Sequence, residues 1–183
     1  CVLAAGVTMD MIAVAAPTGD SRVRIKSEGF HEFALSLDNL EALATEKETS
    51  PALIRGIAAA FASRGHAPKG FNAYVTSNVP VGSGLSSSAA FEVLIGVIFN
   101  SFSASGKESA VEIAKIGKFA ENNYFGKASA LLEKMACSLG GVQFLDFGDP
   151  ETPGIEGAQF DCSAVGSATS LSDPVADHHS TYT

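Results

Sequence analysis

The sequence predicts a single domain that mixes β-strands with α-helices, and three observations support this prediction. Side chains alternate between polar and apolar with period two over residues 22–26 and 32–37, which is typical of strands with one solvent-exposed face. Apolar residues recur at helical spacing between residues 53 and 61. A strand-like stretch, residues 71–79, runs directly into a loop rich in glycine and serine, and a second helical pattern follows that loop. A chain of 183 residues is long enough for one sizeable core.

The first part of the chain is predicted to consist mainly of strands. Residues 2–16 suggest a strand, a turn or bulge, and a second strand, and the two period-two stretches after them suggest an antiparallel pair with solvated Lys and Arg side chains. The charged residues 38–48 suggest a surface connection or a short helix. Ser50 as the N-cap and Pro51 at the first helical position then predict a helix that ends at Gly65.

The second part of the chain is predicted to be mainly helical. The expected elements are helices over residues 91–102, 111–123 and 129–140, strands over residues 142–147 and 160–165, and a turn-rich surface loop over residues 148–154. Residues 166–183 are rich in Ser, Thr, Asp and His, so we expect a poorly ordered tail after a domain of residues 1–165. His178 and His179 are interpreted as tail residues rather than metal ligands, because no further His or Cys lies at a supporting spacing.

Composition narrows the class of partner. Twenty Asp and Glu residues against twelve Lys and Arg residues give a formal net charge of −8, which argues against binding to nucleic acid or to an anionic membrane. A small-molecule partner fits better. Cys1, Cys137 and Cys162 lack the close spacing of metal or redox motifs, so we expect reduced thiols. No apolar run approaches the ~20 residues that span a bilayer, and we therefore expect a soluble, cytoplasmic protein.

The loop between residues 79 and 90 is the strongest candidate site. Glycines allow the backbone to approach a ligand closely, and the first turn of a helix leaves its N–H groups unpaired, so a Gly-rich loop that opens a helix can bind an anion. The alternative is that the serines only cap the helix and the glycines only make a tight turn. The loop has neither the lysine of a P-loop nor the glycine spacing of a dinucleotide-binding turn.

Two longer motifs carry a resemblance to a known family. PVGSGLSSSAA, residues 80–90, is similar to the second motif of the GHMP small-molecule kinases, P-x-G-x-G-L-x-S-S-A, and its triple serine resembles that of galactokinases. AENNYFGKASALLEKMACSLGG, residues 120–141, resembles the galactokinase segment AExxYxGxPxGxMDQMxCxxGG. The resemblance implies the α/β (α+β) fold of the GHMP kinase N-terminal domain, which is of the ribosomal protein S5 domain 2 type. It also implies transfer of the γ-phosphoryl group of ATP to galactose, with ATP and Mg²⁺ as cofactors.

The same resemblance assigns roles to individual residues. It places the nucleotide phosphates on Pro80, Gly82, Ser83, Gly84, Leu85, Ser86, Ser87 and Ser88. It implies that Ser88 and Glu121 hold Mg²⁺, although Glu121 could instead be a solvated helix residue. It puts Glu133 at the position of the catalytic aspartate.

The second motif departs from the family pattern at several positions. Glu133 is one methylene longer than aspartate, and phosphoryl transfer depends on positioning to within about 1 Å, so we expect impaired activity. Ala128, Ala130 and Lys134 replace the family Pro, Gly and Gln. Lys134 could pair with Glu133 or fill the sugar pocket, and the alternative is that both are an exposed helix pair.

Other functions stay open. The family's first and third motifs, which belong to its sugar contacts and its C-terminal domain, are not found in this sequence, so the chain alone is expected to be weak or inactive. One rival is a GHMP kinase for another acceptor, such as N-acetylgalactosamine. Another is a non-catalytic relative, either a ligand sensor or a decayed fragment.

Overall fold

Two β-sheets and four α-helices make up the part of the chain that the computed structural model describes, residues 1–80, 83–149 and 152–158. In chain order the elements are β1 (Val2–Ala5), β2 (Met11–Pro17), β3 (Arg22–Ser27), β4 (Phe33–Ser36), α1 (Ser50–Ser63), β5 (Phe71–Ser77), α2 (Ser87–Ser103), α3 (Ala110–Ala120), α4 (Leu132–Leu139), β6 (Val142–Asp146) and β7 (Gly154–Ala158). The mixture of strands and helices confirms the predicted α/β class. None of the described helices is long and apolar enough to cross a membrane.

The larger sheet has the order β2-β5-β3-β4 and forms one wall of the main core. The central strands β3 and β5 run parallel, and the two outer pairs are antiparallel, so the predicted pairing of β3 with β4 is confirmed. Val23 and Ile25 are fully buried because alternate β3 side chains face the helices. Phe71 of β5 meets Phe99 of α2 edge to face, with ring centroids 5.3 Å apart. The sheet thereby fixes the position of α2.

The smaller sheet has the order β1-β6-β7, and both of its pairs are antiparallel. The two strands predicted within residues 2–16 both form, but they do not pair with each other, since β1 pairs with β6 and β2 pairs with β5. Leu145 of β6 is fully buried in a second core cluster that includes Met135 of α4. This cluster holds α4 beside β1.

Strand β7 was not predicted. It begins at Gly154, at the end of the predicted turn-rich loop, and all five of its residues are exposed. Because neither face of the strand is buried, its sequence lacks the alternation of polar and apolar side chains that predicts a strand. Its partner β6 supplies the hydrogen bonds that define it. The predicted strand at residues 160–165 and the predicted tail at residues 166–183 lie outside the described residues.

Helix α1 begins one residue earlier than predicted, because Thr49 is its N-cap and Ser50 is its first residue. The charged connection before it contains a short 3₁₀ turn, Ala44–Glu46. Arg55, which is only 5% exposed, donates from Nε and Nη2 to the carboxylate of Glu46 at 2.8 and 2.7 Å. This buried pair anchors the connection on α1.

A single π-helical turn, Glu121–Phe125, follows α3 without a break. It ends at Gly126, whose φ of 89° lies in the left-handed region that favours glycine. Helix α1 packs closely on this junction because Gly56 has no side chain; a Cβ there would lie 2.8 Å from Ala120 Cα and 2.9 Å from the ring of Tyr124. The change of helix type directs Glu121 into the protein interior, where it is 3% exposed.

Candidate active site

The start of α2 is the predicted phosphate-binding position. Gly84 and Ser86 both adopt left-handed backbone conformations, with φ of 77° and 54°, and Ser86 is the N-cap of α2. No side chain of the described residues caps the helix, so the N–H groups of its first turn have no capping acceptor among them. The partial positive charge of a helix N-terminus favours an anion at this point. Val81 and the predicted phosphate-binding residue Gly82 lie outside the described residues.

The rest of the loop is ordered by its own hydrogen bonds. The hydroxyl of Ser83 donates to the carbonyl of Pro80 at 2.7 Å, and the N–H of Leu85 donates to the Ser83 hydroxyl at 3.4 Å. Ser88 is exposed in the first turn of α2. Its hydroxyl is therefore accessible to a ligand, whereas that of Ser83 is engaged within the loop.

Two cavities flank this helix start. The smaller cavity, of about 520 Å³, is lined by Gly84, Leu85 and Ser86 on one side and by Glu133 of α4 on the other. The larger cavity, of about 770 Å³, is lined by Ser87 and Ser88. Four phenylalanines also line it: Phe30, Phe33, Phe91 and Phe125. Both volumes are typical of small-molecule sites, and the open end of α2 lies between the two.

A buried ionic cluster lies one helical turn further along α2. Lys134 of α4 is 2% exposed, and its Nζ donates to Glu121 Oε2 at 2.5 Å and to Ser129 Oγ at 3.2 Å. Glu92 of α2 is fully buried, and its Oε2 lies 3.3 Å from the same Nζ. That distance is an ion-pair contact, but neither Glu92 oxygen has a hydrogen-bond partner in the part of the chain that the structure describes. The cluster joins α2, the π turn and α4.

Burial and the neighbouring charges set the protonation of this cluster. Burial raises the pKa of Glu92 to about 8, against the opposing effect of Lys134. Burial alone lowers the pKa of Lys134, but the carboxylates of Glu92 and Glu121 outweigh it and hold that pKa above its usual value. The neighbouring carboxyl groups thus favour the ammonium form of Lys134, whereas burial favours the protonated form of Glu92.

Six of the predicted site residues line one or the other of the two cavities. Gly84, Leu85, Ser86 and Glu133 line one cavity, and Ser87 and Ser88 line the other, whereas Glu121 lines neither of these two. Glu121 is not the solvated residue that was the alternative interpretation, and Lys134 is not an exposed partner of Glu133, because both Glu121 and Lys134 are buried. Glu133 itself is half-buried.

Magnesium coordination by Glu121 does not fit the observed contacts. Its carboxylate is shielded from solvent and already holds the Lys134 ammonium. No group of three or more His, Cys, Asp or Glu side chains that could hold a metal ion occurs among residues 1–80, 83–149 and 152–158. Ser88 stays a predicted ligand on the exposed face of the site.

Glu92 was not predicted from the sequence as a member of this site. A glutamate after the triple serine gave no functional signal, because charged residues are ordinary on helix surfaces. The signal that could have found it is its position. Glu92 lies three residues before Ile95 and seven before Phe99, both fully buried, so it lies on the buried face of α2.

Residues 52–141 match the family model described as the GHMP kinases N terminal domain. This stretch of the chain therefore belongs to the GHMP kinase family. The galactokinase of Bacillus subtilis is 32% identical over 141 residues, which cover 76% of this chain and 36% of that protein. A Streptococcus thermophilus galactokinase is 32% identical over 153 residues, covering 82% of this chain and 39% of that protein. The chain thus spans less than two fifths of the length of these GHMP relatives.

The structural comparison agrees with the family assignment. The crystal structure of Lactococcus lactis galactokinase complexed with galactose superposes with a TM-score of 0.73 at 25% identity, covering 85% of this chain and 41% of that one. A D-glycero-D-manno-heptose 1-phosphate kinase from Bacteroides thetaiotaomicron has a TM-score of 0.71 at 17% identity, covering 90% and 53%, and at that identity it supports the fold alone. The predicted GHMP N-terminal fold is confirmed.

Proposed function

We propose that this chain binds ATP and galactose on either side of the start of α2 and is a galactokinase-like phosphotransferase of reduced activity. The observation that carries the proposal is the placement of the open helix start between two cavities, with a carboxylate facing it from α4. The galactokinase relatives support galactose as the acceptor.

The larger cavity suits the nucleoside. Its phenylalanine rings can stack on a flat base. Ser87 and Ser88 line the same cavity at the N-terminus of α2, where we expect the phosphates to bind. Local backbone dipoles at this point offset the unfavourable field of a chain with a net charge of −8. The Ser88 hydroxyl is proposed to meet the phosphates or a Mg²⁺ ion that they carry. The metal, when bound, would neutralise phosphate charge.

The smaller cavity suits the sugar, and Glu133 is the proposed base. Its carboxylate shares this cavity with Gly84, Leu85 and Ser86 and can accept a proton from a sugar hydroxyl. The hydroxyl oxygen then attacks the γ-phosphorus, and the bond to the bridging oxygen of ADP breaks. The longer glutamate side chain misplaces the carboxylate relative to aspartate, and a shift of about 1 Å can reduce the rate on the order of 100-fold.

Calorimetry with the purified chain tests the two binding sites separately. Phe30 is exposed and lines the larger cavity, so Phe30→Ala should weaken ATP binding and leave galactose binding unchanged. Glu133→Gln should weaken galactose binding and leave ATP binding unchanged. Glu156→Gln, which removes an exposed carboxylate on β7, is the matched control and should change neither. A chain that binds neither ligand would refute the proposal.

Turnover tests the role of Glu133. Galactose-dependent release of ADP should be slow in the native chain and should rise on the order of tenfold in Glu133→Asp, which moves the carboxylate back by one methylene. Loss of turnover in Glu133→Asp, with both ligands still bound, would contradict the assignment of Glu133 as the base.

A second candidate function is a non-catalytic, galactokinase-like sensor. One observation favours it: the buried Lys134 neutralises Glu121, the residue that the family resemblance assigned to the metal. A sensor should bind ATP and galactose in the same calorimetric experiment and show no ADP release, either in the native chain or in Glu133→Asp.

A further inference from the structure

The surroundings of the Lys134 ammonium resemble those of a bound cation. Three oxygen atoms approach Nζ: Glu121 Oε2 at 2.5 Å, Ser129 Oγ at 3.2 Å and Glu92 Oε2 at 3.3 Å. They come from three separate segments of the chain. The ammonium donates hydrogen bonds to Glu121 and Ser129, and Glu92 makes an ion-pair contact with it.

Ser129 is itself held in place. Its N–H and its hydroxyl both donate to Asn122 Oδ1, at 2.9 and 3.2 Å, so Ser129 Oγ is oriented to accept from Lys134. Asn122 belongs to the π turn that also provides Glu121. The loop before α4 is thereby tied to the same turn, and the oxygens around the ammonium form one hydrogen-bonded unit.

Lys134 also closes the cluster to other cations. All three charged residues are 3% exposed or less, so a metal ion could reach Glu121 only by displacing a buried ammonium. Displacement would leave that ammonium without a counter-charge in the protein interior, which is strongly unfavourable. Neither Glu92 oxygen has a hydrogen-bond partner among the described residues, so the cluster contains more acceptor capacity than one ammonium uses.

We propose that the Lys134 ammonium is the resident cation of this site and occupies the position of a divalent metal between Glu121 and Glu92. The carboxyl groups of Glu121 and Glu92, together with Ser129, form a cation site that the chain fills with its own side chain. Removing the ammonium should open that site to a divalent ion. The cation site itself does not depend on the proposed nucleotide site. Only one consequence rests on that proposed function: Glu121 should not make the binding of ATP dependent on a metal ion.

The direct test is Mn²⁺ binding without nucleotide, measured from the electron paramagnetic resonance signal of free Mn²⁺. The native chain should bind no Mn²⁺ in the millimolar range, whereas Lys134→Gln should bind about one ion per chain. Lys127→Gln is the matched control, since it makes the same change of charge at an exposed lysine near the cluster and should bind no more than the native chain.

Thermal unfolding gives a second readout. For Lys134→Gln, 10 mM MnCl₂ should raise the Tm by about 3–6 °C relative to KCl of equal ionic strength if the dissociation constant is near ~1 mM. The native chain and Lys127→Gln should show no such difference. If Lys134→Gln is unfolded by circular dichroism, Lys134→Ala, which likewise keeps both Glu121 and Glu92, replaces it in both measurements.

Two results would overturn the proposal. The first is Mn²⁺ binding by the native chain that Glu121→Gln abolishes. The second is a folded Lys134 variant, Lys134→Gln or Lys134→Ala, that binds no Mn²⁺. Calorimetric titration of ATP, once in EDTA and once in Mg²⁺, separates this inference from the proposed function. If ATP binds in neither solution, the proposed function is refuted, whereas the Mn²⁺ result still holds.

Discussion

Helix α2 carries two polar regions that differ in how their polar groups are satisfied. At its start, Gly84 and Ser86 hold left-handed conformations, no side chain of the described residues caps the helix, and Ser88 is exposed. One turn later, Glu92 is fully buried beside Lys134, whose ammonium is surrounded by oxygens of the protein itself. The first region leaves donors open for a ligand from outside. The second has satisfied its charge internally and is part of the folded core.

Nearby positions of one sequence motif therefore serve different purposes in this protein. Glu133 and Lys134 are adjacent in the chain, but a helix turns about 100° per residue, so Glu133 faces the smaller cavity while Lys134 faces the core. Substitutions at the start of α2 should therefore change ligand affinity, whereas substitutions in the buried cluster should change the free energy of unfolding.

The largest effect is expected for Lys134→Met. It leaves Glu121 with a buried carboxylate and no counter-charge, and we expect the free energy of unfolding to fall by about 3–5 kcal/mol. Urea denaturation followed by circular dichroism measures the change. Lys127→Met is the control, and its exposed position predicts a change within about 0.5 kcal/mol. A loss below ~1 kcal/mol in Lys134→Met would show that the cluster is not part of the stabilising core.

The next effect is a pH dependence set by Glu92. Its folded pKa, about 8, lies above its ordinary value, so the folded state binds the proton more tightly than the unfolded state. That contribution is fully present below about pH 4.5 and is lost as the pH rises through 8. Glu92→Gln keeps the shape and removes the titration, so its stability should fall less than that of the native chain over this range.

Urea denaturation at pH 5, 6.5 and 8 measures this difference, which we expect to reach roughly 1–3 kcal/mol at pH 8. Glu156→Gln should follow the native profile, since Glu156 is exposed. Parallel profiles for native and Glu92→Gln chains would mean that the Glu92 carboxyl does not titrate in this range.

A smaller effect is expected at the helix start. Ser86 has a φ of 54°, and a β-branched residue there is strongly disfavoured, so Ser86→Val should lower the free energy of unfolding by about 1–2 kcal/mol. Ser86→Gly should be tolerated, because glycine adopts this conformation without strain. Thermal unfolding of the two variants tests the order. Equal stability of the two would place the loop outside the cooperative unit that melts.

Sequence patterns predicted the local elements well and the long-range pairings less well. The helical stripe of α1 and the period-two alternation of β3 and β4 were correct because each follows from side chains a few residues apart. The separation of β1 from β2 was not predictable in this way, since it depends on β6, more than 130 residues further along the chain. Strand β7 carries no apolar pattern, and only its pairing with β6 defines it.

In the candidate site too, the local loop was predictable from the sequence and the contacts between distant segments were not. The glycine and serine loop was recognised because its residue types and its place before a helix carry the chemistry locally. Burial decides the roles of Glu121 and Lys134, and burial arises from packing between α2, the π turn and α4. For this reason the pairing of Lys134 with Glu121 could not be read from the motif, in which Glu133 was the nearer partner.

The smallest effect on stability, and the sharpest contrast between the two regions, is expected for Ser88→Ala. Ser88 is exposed and forms no cap, so the free energy of unfolding should change by less than ~0.5 kcal/mol. Affinity for ATP should nevertheless fall about tenfold, because a hydroxyl that contacts a charged phosphate contributes roughly 1.4 kcal/mol. Ser101→Ala, at an exposed position near the other end of α2, should change neither quantity. Calorimetry and urea denaturation of both variants make the comparison. If Ser88→Ala lost stability and kept its ATP affinity, Ser88 would belong with Glu92 and Lys134 as a structural residue, and the open start of α2 would no longer be distinguished from the closed cluster behind it.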